Sequence, residues 1–252
     1  VLGQYGERIP FMFAAGLSML NWLYGYFILP ESLAKEKRRK FDWKRANPIG
    51  SLMHLKKYPA VAGLILSLTL LYIGMHAVQS TWSFYTMKKL GWNSAMVGYS
   101  LAFVGLMIAI VQGGLIRIAI PRLGQTRALY TGLILYTIGM FLFAFASSTW
   151  LMIGFSAVYC LGGIAGPALQ GMISSHVPPN EQGELQGALT SLMSATSIVG
   201  PPIMTNLFSV FSRNSSNYYF PGAPFIAGAV FFLLSTILTF RSLQAEKKAV
   251  PF

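Results

Sequence analysis

Charge is scarce in this 252-residue chain. Asp, Glu, Lys and Arg together make up 10% of it, against roughly 25% in a soluble domain. That scarcity, beside a 54% hydrophobic content, excludes an ordinary water-exposed globular surface and indicates an integral membrane protein. Acid is scarcer still: 7 carboxylates face 19 Lys and Arg, for a net charge of +12. The single cysteine, Cys160, excludes a disulfide framework. Three histidines and that cysteine, widely separated, make no metal-ligand cluster. The glycine-rich Gly162–Gly166 stretch is not followed by GK[ST], so it is no phosphate loop, and nothing points to ATP. Without a converging nucleophile or metal set, an enzyme is not expected, nor is any cofactor. A leader with a cleavage site is also lacking, and the chain opens on Val1, which reads as a truncated coding sequence.

What the chain has instead is long apolar runs. Seven of them, Pro10–Leu29, Ala60–Ser80, Ala95–Ile116, Leu129–Ser147, Leu151–Met172, Leu185–Phe208 and Pro224–Phe240, approach or exceed the ~20 residues that cross a bilayer as a helix. The longest polar segment, Pro30–Lys57, carries Lys35, Lys37, Arg38, Arg39, Lys40, Lys44, Arg45, Lys56 and Lys57. With that loop inside, Arg117, Arg122, Arg127, Arg241, Lys247 and Lys248 also fall inside, and only Arg8, Lys88, Lys89 and Arg213 fall outside. This positive-inside bias accounts for the basic excess without nucleic acid, which would want a basic groove interleaved with aromatics. Seven spans suggest a receptor or a retinal protein, but no lysine lies within a span to form a Schiff base. The layout is better read as one span, a cytoplasmic linker and a compact block of six with short connections. A transporter of two six-helix halves, lacking most of its first half, has that layout.

The organising stretch is Ile153–Phe208, two apolar segments around the polar hinge Ser174–Glu184. Both are seeded with small and polar residues that lipid-facing helices do not need, as in a hairpin lining a cavity. His76 leads a polar stripe with Gln79, Ser80 and Ser83 at i, i+3, i+4 and i+7. It reads equally as cavity lining or as a helix-contact histidine; a proton-coupling role ranks lower. Trp82 abuts that stripe. Gln112, Tyr159, Gln170 and Asn206 are further polar groups within spans, suited singly to interhelical hydrogen bonds and jointly to a substrate path. Gly200, Pro201 and Pro202 break a backbone ladder, marking a kink that flexes or shapes the cavity. Gly162 and Gly166 read as close helix packing. The tryptophans mostly fall near span ends, as interfacial anchors do. Every carboxylate lies outside the spans, so an acidic proton carrier would belong elsewhere in the transporter.

Three pieces carry a family resemblance. Pro10-Phe11 … Asn21 … Leu29-Pro30-Glu31-Ser32 resembles the sixth helix and its exit in drug:proton antiporters of the major facilitator superfamily. Gly91-Trp92-Asn93-Ser94-Ala95-Met96-Val97-Gly98-Tyr99-Ser100-Leu101 resembles the start of their eighth helix. Gly166-Pro167-Ala168-Leu169-Gln170-Gly171, with Glu181-Gln182-Gly183-Glu184-Leu185-Gln186-Gly187-Ala188-Leu189 and Ser197-Ile198-Val199-Gly200-Pro201, is similar to the tenth–eleventh hairpin of the tetracycline-efflux branch. A degenerate echo of the family's cytoplasmic loop signature appears at Gly114, Arg117, Arg122, Gly124 and Arg127. The chain departs in having no histidine between Ala95 and Ile116, where some tetracycline exporters carry one; His76 is the candidate substitute.

The resemblance implies an all-α membrane fold, the C-terminal six-helix bundle plus one preceding helix. Residues 1–29 would be helix six, 30–58 the basic central loop, 59–241 the C-terminal half and 242–252 a cytoplasmic tail. It implies a proton-coupled exporter of a hydrophobic drug-like molecule, with tetracycline a candidate, working by alternating access in the bacterial cytoplasmic membrane. The proton would be the coupling ion. The expected partners are the small-molecule substrate, the lipid bilayer and the N-terminal half of the same transporter, in a monomer. The rival reading on the same fold is an importer or symporter of a sugar or small metabolite.

Overall fold

The computed structural model describes residue 6 and residues 8–30, 59–213 and 219–249, and regular structure among them is helical throughout. The basic segment 31–58, with Trp43, lies outside the described residues. The chain divides into two compact units, Val1–Phe41 and Asp42–Phe252.

The first unit holds α1 (Ile9–Phe27), which has Pro10 in its first turn and contains no buried residue. Proline suits the first helical turn because its missing N–H would be unpaired there anyway. Phe11, Met12, Trp22 and Phe27 are all exposed.

The second unit is six helical rods with short turns. They are α2 (Pro59–Leu90), α3 (Ser94–Ile110) running through a π turn (Val111–Leu115) into α4 (Ile116–Leu123), and α5 (Gln125–Phe145). Next comes α6 (Thr149–Leu161), running through a 3₁₀ turn (Gly162–Ile164) into α7 (Ala165–Ser175). The 3₁₀ turn Pro179–Glu181, α8 (Gln182–Phe211) and α9 (Ala223–Ala249) complete the unit. The ends are set locally. Asn93 Oδ1 accepts the Met96 N–H at 2.9 Å to cap α3, and Ser148 Oγ accepts from Leu151 to cap α6. Gly124, at φ 78°, makes the abrupt reversal between α4 and α5 that a side chain would resist.

All seven expected segments are helical. Five rods are long and apolar enough to cross a membrane: Val61–Leu90, Ser94–Leu123, Gln125–Phe145, Thr149–Ser175 and Ala223–Ala245. Helices α1 and α8 are not among them. In α8 the reason is the load of Gln186, Thr190, Ser191, Ser194, Thr196, Ser197 and Asn206. The observed helices also overrun the expected spans. α2 continues ten residues past Ser80, taking Lys88 and Lys89 into its last turn, and α9 continues to Ala249, so most of the expected tail is helical.

The core lies where α2, α5, α6, α7 and α9 meet, around Leu64, Leu68, Leu133, Met140, Phe143, Leu169 and Phe232. Lipid tails are as apolar as leucine, so close packing rather than hydrophobic transfer holds such rods together. Glycine supplies that closeness. A Cβ on Gly132 would lie 2.7 Å from the Ala165 backbone nitrogen, one on Gly139 would lie 2.8 Å from Tyr159 Cα, and one on Gly162 would lie 2.7 Å from the Tyr136 ring. The packing expected of Gly162 and Gly166 is thus made by Gly162 alone; Gly166 faces open space. Ser67 Oγ lies 2.7 Å from both Ser235 Oγ and Thr239 Oγ1, joining α2 to α9 through paired hydroxyls.

At the other end of α2 the C-terminus of α5 is capped from outside its own helix. Tyr85 donates its hydroxyl to the Phe143 carbonyl at 2.6 Å, and Lys89 Nζ donates to the Ala144 carbonyl at 3.0 Å and to the Tyr85 oxygen at 2.9 Å. The Phe143 carbonyl also takes the Ala146 N–H of the helix cap at 3.3 Å, the last carbonyls of a helix lack i+4 donors, and a cation at a helix C-terminus is further favoured by the dipole. Tyr85→Phe and Lys89→Met are each expected to cost about 1–2 kcal/mol, read as a lowered Tm of the purified protein. An unchanged Tm in both would mean that the cap is ornamental.

Trp92 departs from the expectation of interfacial anchoring, and Trp82, the candidate beside the polar stripe, is buried as well. Trp82 is 3% and Trp92 7% exposed. Their indole N–H groups point inward, Trp82 to Ser100 Oγ at 3.0 Å and Trp92 to Thr149 Oγ1 at 2.9 Å. The overrun of α2 accounts for Trp82, which lies on it against Ser100 of α3, and Trp92 in the following turn packs against Thr149 at the start of α6. Trp150, 82% exposed, is placed as an anchor would be.

Candidate functional site

Polar and small residues join α2 to α7 and to α8. His76 is buried on α2, and its imidazole lies against Gly200 of α8 so closely that a Cβ there would overlap the ring. The helix-contact role is therefore built into the fold. One turn earlier, the Tyr72 hydroxyl accepts a hydrogen bond from Gln170 Nε2 of α7 at 2.9 Å. Three helices are thus tied together within two turns of α2. Toward the other end of the same pair, Phe84 faces Phe208 with ring centroids 6.3 Å apart.

The sequence candidates separate into two groups. Gln79 on α2 and Asn206 on α8 are exposed, with Ser80 and Ser83 half-buried near Gln79 on α2. Asn206 Nδ2 donates to the Pro202 carbonyl at 2.8 Å, which leaves its side-chain oxygen outward as an acceptor. Trp82 and Tyr159 face inward instead. The Tyr159 ring packs 4.8 Å from Tyr136 and 5.4 Å from Phe143, inside the core, where the sequence gives no sign that α5 would present two aromatic rings to it.

Gln112 is exposed in the π turn of the α3–α4 rod. The neighbouring Val111 is buried, and its Cγ1 lies 3.6 Å from where a Cβ on Gly163 would be. The π turn of the α3–α4 rod therefore rests on the 3₁₀ turn of the α6–α7 rod. Irregular turns of this kind collect at functional positions, and neither is legible as an irregularity in the sequence beyond its paired glycines.

Helix α8 runs unbroken from Gln182 to Phe211 through Pro201 and Pro202. The two prolines lack N–H groups, so the carbonyls of Ser197 and Ile198 lose their i+4 donors. Both residues are exposed. Upstream, the Ser191, Ser194 and Ser197 hydroxyls donate to the carbonyls of Gly187, Thr190 and Met193 at 2.8, 3.0 and 2.9 Å. With those protons spent on the backbone, these three serines are left with acceptor oxygens.

The hinge before α8 is stitched by one side chain. Gln182 Nε2 donates to the Ser174 and Val177 carbonyls at 2.8 and 2.7 Å, and its Oε1 accepts from Ser174 Oγ at 2.7 Å. At the same end lies the loop signature: Gly114, Arg117, Arg122, Gly124 and Arg127 are all exposed around the α4–α5 turn. Gln125 holds that turn to α7 through the Ala168 carbonyl at 3.1 Å. By the alternation of the rods, Arg241 shares this end, while Lys88, Lys89 and Arg213 occupy the other.

Six rods that alternate in direction, five of them apolar enough for a bilayer, define a multi-pass membrane protein built as one half of a transporter bundle. Residues 119–251 match the model of the Major Facilitator Superfamily, and the chain belongs to that family. The tetracycline resistance protein, class C, of Escherichia coli is 32% identical over 93% of this chain and 58% of its own length. The class E protein of Escherichia coli is 32% identical over 82% of this chain and 51% of its own length. The chain therefore spans just over half the length of these relatives. The crystal structure of the human organic anion transporter MFSD10 (TETRAN) superposes with a TM-score of 0.73 over 92% of this chain and 57% of its own, at 22% identity, a likeness of fold.

Proposed function

We propose that this chain supplies one half of a proton-coupled exporter of hydrophobic drug-like molecules, with tetracycline as the candidate substrate. The observation that carries this reading is the α8 face. The hydroxyls of Ser191, Ser194 and Ser197 are turned onto the helix and the proline-freed carbonyls belong to exposed residues, so this face favours a ligand that brings its own O–H and N–H donors. The naming of relatives at 32% identity as tetracycline resistance proteins supports the same class. Gln79, Gln112, Gln170 and Asn206 would line the path, with His76 behind them holding α8 to α2.

Alternating access needs a second half. The α3 rod offers it a seat in the exposed small residues Gly98, Ala102, Gly105 and Ala109, with open space beside both glycines. The arginine-bearing end would face the cytosol of a bacterium, and the proton, rather than a cofactor, would couple transport. Inverted membrane vesicles carrying the complete transporter test this reading. Adding tetracycline to energised vesicles is expected to release protons from the lumen, and cysteine at Arg127 should be labelled from outside. Co-accumulation of solute with protons would instead establish a symporter.

A further inference from the structure

On the side formed by α5 and α9 a groove runs down the bundle from the arginine-bearing end. Its upper part is a cavity of about 540 Å³ between Tyr130 and Ile134 of α5 and Ile237, Phe240, Arg241 and Gln244 of α9. Its lower part, about 360 Å³, is walled by Ile138 and Phe141 of α5 and Val230 and Leu233 of α9, and is wholly apolar. The two threonines along it do not change that. Thr137 and Thr236 each donate to a carbonyl of their own helix at 2.8 Å. Polar groups are therefore confined to the mouth. There Arg241 is exposed and, among the described residues, has no ionic or hydrogen-bonding partner.

We propose that this groove is a binding site for an anionic glycerophospholipid, with the phosphate on Arg241 and one acyl chain laid between α5 and α9. A guanidinium pairs with phosphate oxygens through two parallel N–H donors, and Gln244 and Tyr130 add polar groups at headgroup level. The depth fits a single leaflet. Half of a ~30 Å hydrocarbon core is about 15 Å, and ten residues of helix cover that distance. From Arg241 the chain end would thus reach the region of Leu233 and Val230, inside the lower cavity. Arg127, on the same stripe of α5 one turn nearer the end than Tyr130, adds positive charge beside the mouth. The wall residues Ile134, Ile138, Phe141, Leu233 and Ile237 are each between 41% and 53% exposed, open to a lipid chain along the whole groove.

The experiment is native mass spectrometry of the purified, delipidated full chain, titrated with phosphatidylglycerol or with phosphatidylcholine of the same chains. The expected result is about a fivefold preference for phosphatidylglycerol, the effect of one well-placed cation at an anionic headgroup. Arg241→Gln should reduce that preference to near unity, Arg241→Lys should keep most of it, and Ile237→Trp, which fills the groove, should weaken binding of both lipids. Equal preference in the wild type and Arg241→Gln would overturn the assignment of the phosphate to Arg241. Undiminished binding in Ile237→Trp would overturn the groove. A dimer that Ile237→Trp abolishes would show that a second copy, not lipid, covers this face.

Discussion

Alanine at both Gly132 and Gly139 is expected to leave little folded protein. Each new Cβ would meet backbone rather than a movable side-chain tip, Ala165 nitrogen at 2.7 Å and Tyr159 Cα at 2.8 Å. Neither neighbour yields without moving a helix. Overpacking costs about 1–3 kcal/mol at ordinary sites, and backbone contact places these at the upper end. The two positions are about 10 Å apart along α5, far enough to add nearly independently. The sum approaches the 5–15 kcal/mol by which a domain is stable. Thermal unfolding of detergent-purified protein checks it. Gly98→Ala and Gly105→Ala are the controls: nothing lies within 4 Å of either new Cβ, and helix propensity should leave Tm unchanged or slightly raised. A double Gly132/Gly139 variant as stable as these controls would refute the packing account of the core.

The second large effect is at the α2–α8 contact. Gly200→Ala should lower stability by about 2–3 kcal/mol and abolish the transport proposed for the complete transporter, because the new methyl would collide with the His76 ring close to its own backbone. His76→Ala alone opens a hole there. The pair His76→Ala with Gly200→Ala should be milder than the sum of the two, since the methyl enters the space that the ring left. A double-mutant cycle on Tm reads the coupling directly. If transport returns along with stability, His76 serves the fold; if stability returns and transport does not, the imidazole itself is needed. Strict additivity would mean that the two residues do not share this space.

Much of the architecture is legible because the rods are long. Runs such as Leu129–Ser147 and Pro224–Phe240 admit no other structure in a bilayer, and the helices appear where they should. Their ends are less legible. Polar residues such as Ser83 and Lys89 do not stop a helix whose backbone bonds are satisfied, so α2 and α9 overrun. For the site, sequence register groups His76, Gln79 and Ser83, and the structure keeps them on one helix face. Register is silent on neighbours, however. That His76 meets Gly200, that Gln170 meets Tyr72, and that Tyr159 turns into the core are facts of helix azimuth, fixed by which glycines let two backbones touch. The family resemblance carried the hairpin motif correctly to the α7–α8 hinge, where Gln182 shows why a glutamine serves: one amide answers three groups of a tight reversal.

The π turn at Val111–Leu115 sets a phase. Such a turn holds one residue more than its α-helical neighbours, so everything after it is rotated by about 100° from where an uninterrupted coil would put it. Ala119 owes its seat against Ala128 and Ile164 to that offset. Wound as plain α-helix, the same letters would deliver Ile118 to that seat, a branched side chain where a methyl now fits, and would swing Arg117 by the same angle.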